Sequence, residues 1–294
     1  VTVPGAFVLG AAATSSAREG DEDGFVVLRN AAGLTRRIPF WLHLERPRLG
    51  SERHTTLKRP GVYAGNTRGK AARVTTYRYP TKVPGAPSLL SFPGPEQVFR
   101  FKLGSGVANA GVVVLSTARA NVVPHVVVAG DENRLTGYAG LPINIDPYRN
   151  AYGLNEGVAG VDLPQPGSYD AVFDTPSGGR PGSFRFRFWV NDTKPPAVRL
   201  LTARVAAGKP VELRVTDAGS GVDPHLLTVT LDGKSVTPAF DAAKGLLQLA
   251  TTDVAAGKHQ LAVEVSDYQE AKNMENTGPI LPNTRFFKAT VTVG

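Results

Sequence analysis

The stretch from Phe184 to Leu200, FRFRFWVNDTKPPAVRL, most constrains what this chain can fold into. Phe184, Phe186 and Phe188 alternate with two arginines, which places aromatic rings on one face and cations on the other, as in a half-buried strand. A polar turn and two consecutive prolines follow, and prolines cannot donate to a sheet ladder. A second strand pattern begins at Val198. The stretch therefore predicts the end of one β-sandwich and the start of another, joined by a stiff, nearly extended link.

The rest of the composition favours the same class of protein. The chain has 294 residues, enough for two or three domains with separate cores, and its 41% apolar content is too high for a disordered chain. No apolar run is long enough to cross a bilayer, so we expect no membrane insertion. The 32 glycines and 23 prolines separate short runs rich in Val, Leu, Thr and Phe. We therefore predict an all-β fold of tandem antiparallel β-sandwich domains, of fibronectin III, jelly-roll or Ig-like type.

Two proline-rich segments set the predicted domain boundaries. Lys82–Pro95 holds four prolines and two glycines, and we interpret it as a first linker. The predicted domains are a fibronectin-type sandwich over 1–83, a middle sandwich over 84–192 and an Ig-like sandwich over 193–294. The last contains Asp232-Gly233, a hairpin signal. The first is expected to be incomplete at its N-terminus, because the chain starts at Val1 without an initiator methionine and we interpret it as a piece of a longer polypeptide.

Short strands are predicted in all three domains, four or five of them within residues 1–83. In the strand starting at Arg36, the side chains of Ile38, Phe40, Leu42 and Leu44 share one face, and His43 lies on the other. Pro39 favours an edge strand. The predicted strands of residues 1–83 are Ala6–Ala12, Gly24–Arg29, Arg36–Glu45, Gly61–Ala64 and Ala71–Tyr79, and Leu141–Tyr148 is a predicted strand of the middle domain.

The net charge of +8 is concentrated near the N-terminus. Residues 1–83 hold 14 Lys/Arg against 6 Asp/Glu, and most of the excess lies in a basic block between Arg46 and Lys82. Such a block can bind an anionic partner such as a wall polymer or an acidic domain, or can be an ordinary solvated face. Nucleic acid is the weakest alternative, because no recognition motif accompanies the aromatic residues of this region.

The chain contains no recognisable catalytic constellation. There is no G-x-S-x-G, P-loop, dinucleotide fingerprint or His-x-x-x-His pair, and the absence of cysteine excludes thiol chemistry and disulfides. Ser105 and Ser220 lie between glycines, which is common turn chemistry. No partner for His43 as a general base stands at a recognisable spacing. We therefore predict no catalytic and no cofactor-binding residues, and no enzyme activity of the chain itself.

Two acidic loops are candidates for a catalytic or a metal site. Asp131 and Glu132 are adjacent and would point to opposite faces, which argues against a paired acid/base site; an ion pair with Arg134 in a loop that folds back is the preferred interpretation. Asp217 and Asp223 lie on a glycine-rich turn in the domain that follows Asp192. Calcium takes several oxygen ligands of this kind. The alternative is that Asp217 caps its own turn. We assign no metal ligand, and calcium stays an open alternative.

Three passages together resemble a known region. They are the strands from Gly24 and Arg36, the segments 129–138 and 167–175, and Trp189–Asp192 with Asp217–Pro224. They resemble the C-terminal extension of secreted bacterial subtilisin-like serine peptidases, particularly large actinobacterial ones. The family's catalytic motifs have no match here. The resemblance implies a secreted or cell-surface, non-catalytic accessory region that stabilises, spaces or presents substrate, with the parent enzyme's catalytic domain, a protein substrate or a surface polymer as partner.

Two alternatives stay open. The first is a stand-alone extracellular adhesion or carbohydrate-binding protein, which needs exposed aromatic rings. Trp41 and Trp189 are both expected in buried strands, which weighs against it. The second is a stand-alone hydrolase with an unrecognised site, for which five scattered histidines give little support.

Overall fold

The structure is a computed structural model in which residues 8–14, 16–75, 77, 92–132, 134, 157–269 and 283–294 are described. It divides into two compact units, Val1–Pro47 and Arg48–Gly294. The described residues are almost entirely β-strands and turns, arranged mainly in antiparallel sheets, so the predicted all-β class is confirmed. Among them no helix has the length and apolar character required to span a bilayer.

The first unit contains one long hairpin. Its strands are β1 (Gly20–Arg29) and β2 (Thr35–Leu44), and they pair in register from Gly20↔Leu44 to Arg29↔Thr35. This register confirms that Ile38 and Phe40 share a face and that His43 lies opposite. Among the described residues each strand pairs only with the other, so both are edge strands there, as Pro39 indicates. Residues 8–12, the described part of the predicted strand Ala6–Ala12, are not in a strand.

The second unit begins with a sandwich of eight strands. A 3-10 turn at Leu49–Ser51 precedes it. The strands are β3 (His54–Thr56), β4 (Gly61–Asn66), β5 (Gln97–Leu103), β6 (Asn109–Thr117), β7 (Val123–Val128), β8 (Val158–Asp162), β9 (Gly167–Asp174) and β10 (Ser183–Val190). One sheet has the order β4-β10-β6-β8 and the other β3-β5-β9-β7, with the β3–β5 pair parallel. We call this the first sandwich.

The aromatic strand forms the centre of this sandwich. Phe186 in β10 is fully buried, with its ring centroid 4.5 Å from that of Phe173 and 4.8 Å from that of Phe99 in the facing sheet. Phe184 lies across Gly65 of β4, where an added Cβ would come within 2.2 Å of the ring. The alternation in the sequence therefore places one face of β10 in the core, as predicted.

The predicted boundary near residue 84 does not separate two sandwiches. β4 pairs with β10 and β3 pairs with β5, so residues 54–66 complete the sheets of the first sandwich rather than a domain over 1–83. The ring of Tyr63 in β4 stacks on Phe186 at 5.7 Å. The predicted boundary depends on the proline content of the segment. Prolines indicate irregular backbone but give no information on which strands pair across it. Within the described part of residues 1–47, the only paired strands are β1 and β2.

The predicted strand Ala71–Tyr79 and the predicted linker Lys82–Pro95 are only partly described. Residues 71–75 and 77 are not in a strand. Instead Val74, Tyr77 and Phe92 are buried against the outer face of the β3-β5-β9-β7 sheet, on Val98 and Val172. The described ends of this segment are thus packed on the first sandwich. The predicted strand Leu141–Tyr148 lies outside the described residues.

The chain enters a second sandwich after β10. Its strands are β11 (Ala197–Leu200), β12 (Arg204–Val205), β13 (Val211–Thr216), β14 (Val222–Leu231), β15 (Lys234–Val236), β16 (Ala239–Asp241), β17 (Leu246–Leu249), β18 (Gly257–Asp267) and β19 (Thr284–Val293). The sheets have the orders β11-β13-β17-β16 and β12-β19-β18-β14-β15. Asp232 and Gly233, with φ of 51° and 77°, join β14 to β15 as the predicted hairpin turn.

Candidate functional site

Several described polar side chains are hydrogen-bonded to one another where β10 passes into the second sandwich. Asp192 is buried there. Its backbone N–H donates to Asn109 Oδ1 (2.8 Å), and its carbonyl oxygen accepts from Asn109 Nδ2 (2.8 Å) and from Asn283 Nδ2 (3.0 Å). Asn109 belongs to the first sandwich and Asn283 immediately precedes β19 in the second. Asp192 therefore ties the two sandwiches together through its backbone.

The side chain of Asp192 makes a further connection. Its Oδ2 accepts the Ser220 N–H at 2.6 Å. Gly219 passes so close that a Cβ built there would lie 2.2 Å from the carboxyl carbon. The turn needs glycine at 219 because of this approach, whereas Gly221 has a φ of +98°, a conformation that disfavours side chains.

Asp217 caps the same turn, as the simpler sequence interpretation predicted. Its Oδ2 accepts the N–H groups of Gly219 and Gly221, both at 2.8 Å. Burial raises the pKa of the Asp217 carboxyl, and the nearby Asp192 carboxylate raises it further. Arg187 of β10 opposes this, because its positive charge lies close enough to lower the pKa of Asp217 and its Nη1 donates to the Gly219 carbonyl at 3.2 Å.

A second chain of hydrogen bonds runs beside the turn. Trp189 Nε1 donates to Gln269 Oε1 (3.0 Å), and Gln269 Nε2 donates to Asp162 Oδ1 of β8 (2.6 Å). The Gln269 N–H donates to Ser220 Oγ (2.9 Å). The indole of Trp189 is buried, as predicted, and it lies across Gly111 of β6. We call these residues together with Asp192, Asn109, Asn283 and the 217–221 turn the sandwich junction.

One group of carboxylates at the junction has the geometry to hold a cation. Asp192, Asp217 and Asp267 each offer an oxygen, and these oxygens lie within 4.8 Å of one another. Calcium prefers such oxygen ligands but requires six to eight of them. Asp223 is not in the group, and its carboxylate accepts the His225 N–H at 2.9 Å. The sequence pointed to two of the three carboxylates and missed Asp267, which lies at the end of β18 with no local signal.

The acidic loop near residue 132 has a structural role. The Glu132 carboxylate is buried and accepts the backbone N–H groups of Arg48 (2.7 Å) and Leu49 (3.1 Å). The loop folds back, as predicted, through bonds from Arg134 N to the Asp131 carbonyl (3.2 Å) and from Val128 N to the Arg134 carbonyl (3.0 Å).

Four of the five histidines, all within the described residues, contact carboxylates. His43 bonds Asp21 (2.6 Å), His259 bonds Asp232 (2.7 Å), and His225 contacts Asp223 (3.2 Å). His125 is fully buried and bonds Asp174 at 2.7 Å, and Tyr77 OH donates to the same Asp174 oxygen at 2.7 Å. No hydroxyl nucleophile is hydrogen-bonded to a histidine within the described ranges.

Glu96 lies near this buried group and is itself buried. Its carboxylate accepts the N–H of Arg73 (2.8 Å) and of Val74 (3.3 Å) and so holds the 71–75 segment on the sheet. Burial raises the pKa of Glu96 to about 7, with the Asp174 and Glu52 carboxylates adding to the effect and the two backbone bonds opposing it.

This shift predicts a pH dependence of stability. Because the folded-state pKa of Glu96 is raised above its ordinary 4.5, its contribution is complete below pH 4.5 and is lost as the pH rises through about 7. We expect the free energy of unfolding to fall by about 2–3 kcal/mol between pH 5 and pH 8 on this account. Urea denaturation at both pH values measures it. Glu96→Gln should flatten the profile; a variant with the wild-type slope would assign the effect to other groups.

Comparisons with known proteins add little. No protein-family model matches the chain, and no curated protein matches it. Among solved structures, the chain is similar to CopC from Methylosinus trichosporium OB3b, with 22% identity and a TM-score of 0.24, over 34% of this chain and 91% of CopC. A similarity at this TM-score carries no argument about the function of the chain.

Proposed function

We propose that the chain is the non-catalytic accessory region of an exported bacterial subtilisin-like serine protease, and that it holds and spaces the catalytic domain. Supporting this are the sequence passages named above, which form β1, β2, β9 and the sandwich junction. The histidines His43, His125 and His259 are hydrogen-bonded to carboxylates, which is compatible with a structural role for these side chains.

The observation that carries the proposal is the sandwich junction. Asp192 bonds Asn109 of the first sandwich, and Asn283 and Ser220 of the second, through four hydrogen bonds of 2.6–3.0 Å. These bonds are buried, where each is stronger than at a solvated surface. A joint held in this way fixes the position of one sandwich relative to the other. The two sandwiches then act as a spacer of fixed length and not as domains on a flexible linker.

The basic block is a second candidate contact with a partner. The cations of Arg53, Lys70 and Arg73 are exposed and line a cleft of about 380 Å³ whose wall includes Glu52 and Glu96. Arg73 pairs with Glu52. Arg53 and Lys70 leave a positive rim that attracts an acidic surface, such as that of a protein substrate, a catalytic domain or a cell-wall polymer.

The proposal is tested on the purified chain with casein as substrate and a fluorophosphonate as serine-directed label. We expect neither turnover nor labelling. Casein cleavage that is abolished by substituting a residue within this chain would overturn the proposal, because the chain would then contain its own catalytic group.

The exposure of Trp41, which differs from the prediction, favours a carbohydrate-binding function. Trp41 was expected to be buried, but its side chain is 66% exposed on the hairpin face that also carries His43, with the two rings stacked at 6.3 Å. Exposed indoles are the groups on which sugar rings stack. A polysaccharide array probed with the wild-type chain and with Trp41→Ala tests this alternative. Binding lost in the variant would support it, and an array without binders would retire it.

A further inference from the structure

Positive charge is concentrated along one side of the first sandwich. β3 and β4 are each the terminal strand of their sheet, and only residues 57–60 join them, so both lie on the same side of the sandwich. Residues 53–73, which contain these two strands, hold six Lys/Arg and no Asp or Glu. All six are exposed. We call them the basic edge, and its members are Arg53, Lys58, Arg59, Arg68, Lys70 and Arg73.

The charge of the basic edge is not cancelled by acidic neighbours in the described part of the chain. Arg73 pairs with Glu52, and no other member has an ion pair with a described acid. Glu96 is the second acid in the wall of the adjacent cleft, and its carboxyl group is buried. Burial raises the pKa of Glu96 to about 7, so this group is only partly ionised at neutral pH. Five cations therefore remain to attract a ligand.

The placement of these cations differs from the charges that protect an edge strand. Edge strands are protected from further pairing by charged side chains on the strand itself. No member of the basic edge lies within β3 or β4. Arg53 precedes β3, Lys58 and Arg59 lie between the strands, and the other members follow β4. A ligand that runs along this side of the sandwich therefore meets cations at both ends of the two strands.

The length of the basic edge limits which anions can use all of it. Arg53, Lys70 and Arg73 line the cleft of about 380 Å³ beside the start of β3. Lys58 and Arg59 lie at the other end of β4, whose six residues span roughly 20 Å. A single small anion can occupy the cleft but cannot reach the far end. An extended ligand can contact both groups of cations.

The surrounding surface decides between the classes of anionic ligand. The centre of a contact with a protein needs apolar and aromatic anchors, but of the large hydrophobic residues in 48–75 only Val62 is exposed. Single-stranded nucleic acid needs exposed aromatic rings on which its bases stack. Tyr63 is half-buried and stacked on Phe186, and Tyr77 is buried. What remains are guanidinium and ammonium groups, which bind phosphate and carboxylate.

We infer that the basic edge binds a linear polyanion, a polymer that carries phosphate or carboxylate groups along an extended chain and has no bases. Arg53 and Lys70 hold one stretch of the polymer in the cleft, and Lys58 and Arg59 hold a second. This binding does not depend on the accessory role, because a chain with a catalytic group of its own could bind the polymer through the same edge.

Fluorescence anisotropy of labelled long-chain polyphosphate tests this inference on the purified 294-residue chain. We expect binding at 50 mM salt that weakens roughly 50- to 300-fold at 200 mM salt, as about four to six contacts with a single-stranded polyanion require. Tripolyphosphate, which is too short to leave the cleft, should bind roughly tenfold more weakly than the polymer. Polygalacturonate serves as the competitor with carboxylate groups, and the polymer that binds more tightly identifies the acid group that is recognised.

Substitutions at the cleft separate a local site from attraction by the net charge. Arg53→Gln combined with Lys70→Gln should weaken polyphosphate binding roughly tenfold and reduce its salt dependence. Arg199→Gln combined with Lys209→Gln is the matched control, because both side chains are exposed in the second sandwich and the same net charge is removed. We expect the control to bind polyphosphate as the wild-type chain does.

Substitutions at the far end test the length of the site. Lys58→Gln combined with Arg59→Gln should also weaken polyphosphate binding roughly tenfold, but should leave the affinity for tripolyphosphate unchanged, because the short anion does not reach these residues. A loss of affinity for polyphosphate alone would therefore place the polymer along the edge and not only in the cleft.

Equal losses of affinity in the cleft variant and the control would overturn the inference, since net charge alone would then account for the binding. So would the absence of binding at 50 mM salt, or equal affinities for polyphosphate and tripolyphosphate. Tighter binding of single-stranded DNA than of either polymer would overturn it in favour of nucleic acid. Casein cleavage by the chain would remove the accessory role and leave this inference standing.

Discussion

Gly219→Ala is expected to lower the free energy of unfolding by about 3–4 kcal/mol, the combined effect of overpacking and of a broken buried hydrogen bond. The added methyl would lie 2.2 Å from the carboxyl carbon of Asp192, so the carboxylate must move. Its bond to the Ser220 N–H at 2.6 Å is then lost. Both groups are buried, and the freed donor has no water to replace its acceptor.

The consequence reaches beyond stability, because Asp192 also fixes how the two sandwiches meet. In the wild-type chain we expect both sandwiches to unfold in one calorimetric transition, and in Gly219→Ala we expect two. Gly104→Ala is the matched control, since no atom lies within 4 Å of its added Cβ and its φ is negative. A Gly219→Ala variant that unfolds like Gly104→Ala would contradict this account of the junction.

His125→Leu is the second substitution for which we expect a large effect. It should lower the free energy of unfolding by about 3–5 kcal/mol, the range for breaking a buried pair. Asp174 is fully buried. One of its oxygens is hydrogen-bonded to both His125 Nδ1 and the Tyr77 hydroxyl, each at 2.7 Å. Leucine fills the volume of the ring but leaves the carboxyl group with one donor fewer. The loss should also release the Tyr77 ring, which stacks on His125 at 4.0 Å.

Guanidinium denaturation of three variants separates pair breakage from repacking. His54→Leu, at an exposed position in β3, should stay within about 0.5 kcal/mol of wild type, as surface changes do. Adding Asp174→Asn to His125→Leu should recover part of the lost stability, because it removes the ionisable group left behind. Equal stabilities of the His125→Leu and His54→Leu variants would show that the buried bond contributes nothing.

Local patterns predicted the core strand β10 and two turns correctly, although the described parts of the predicted strands Ala6–Ala12 and Ala71–Tyr79 are not in strands. The alternation from Phe184 fixed which side chains of β10 enter the core, and Asp232-Gly233 fixed the β14–β15 turn. Asp217 capped its own turn as short-range chemistry requires. Each of these depends on the order of a few neighbouring residues, so one sequence is sufficient.

Pairing between distant strands could not be predicted in the same way. β4 pairs with β10 across more than a hundred residues, and nothing in Gly61–Asn66 specifies that partner. Asp267 and Asn283 join the junction because β18 and β19 end beside it. Trp41 was expected to be buried because its strand is apolar, but burial requires a covering layer, and the described residues of the hairpin unit form a single layer.

We propose that these β layers hold and space a protease domain and contribute no reacting group. Thermal inactivation of the proposed parent protease, compared with that of a form lacking residues 1–294 on a small peptide substrate, tests this proposal. We expect the shortened form to lose activity at least tenfold faster at elevated temperature with kcat on the peptide unchanged. Equal inactivation rates, or a kcat that disappears on substituting a single residue of this region in the intact enzyme, would contradict the proposal.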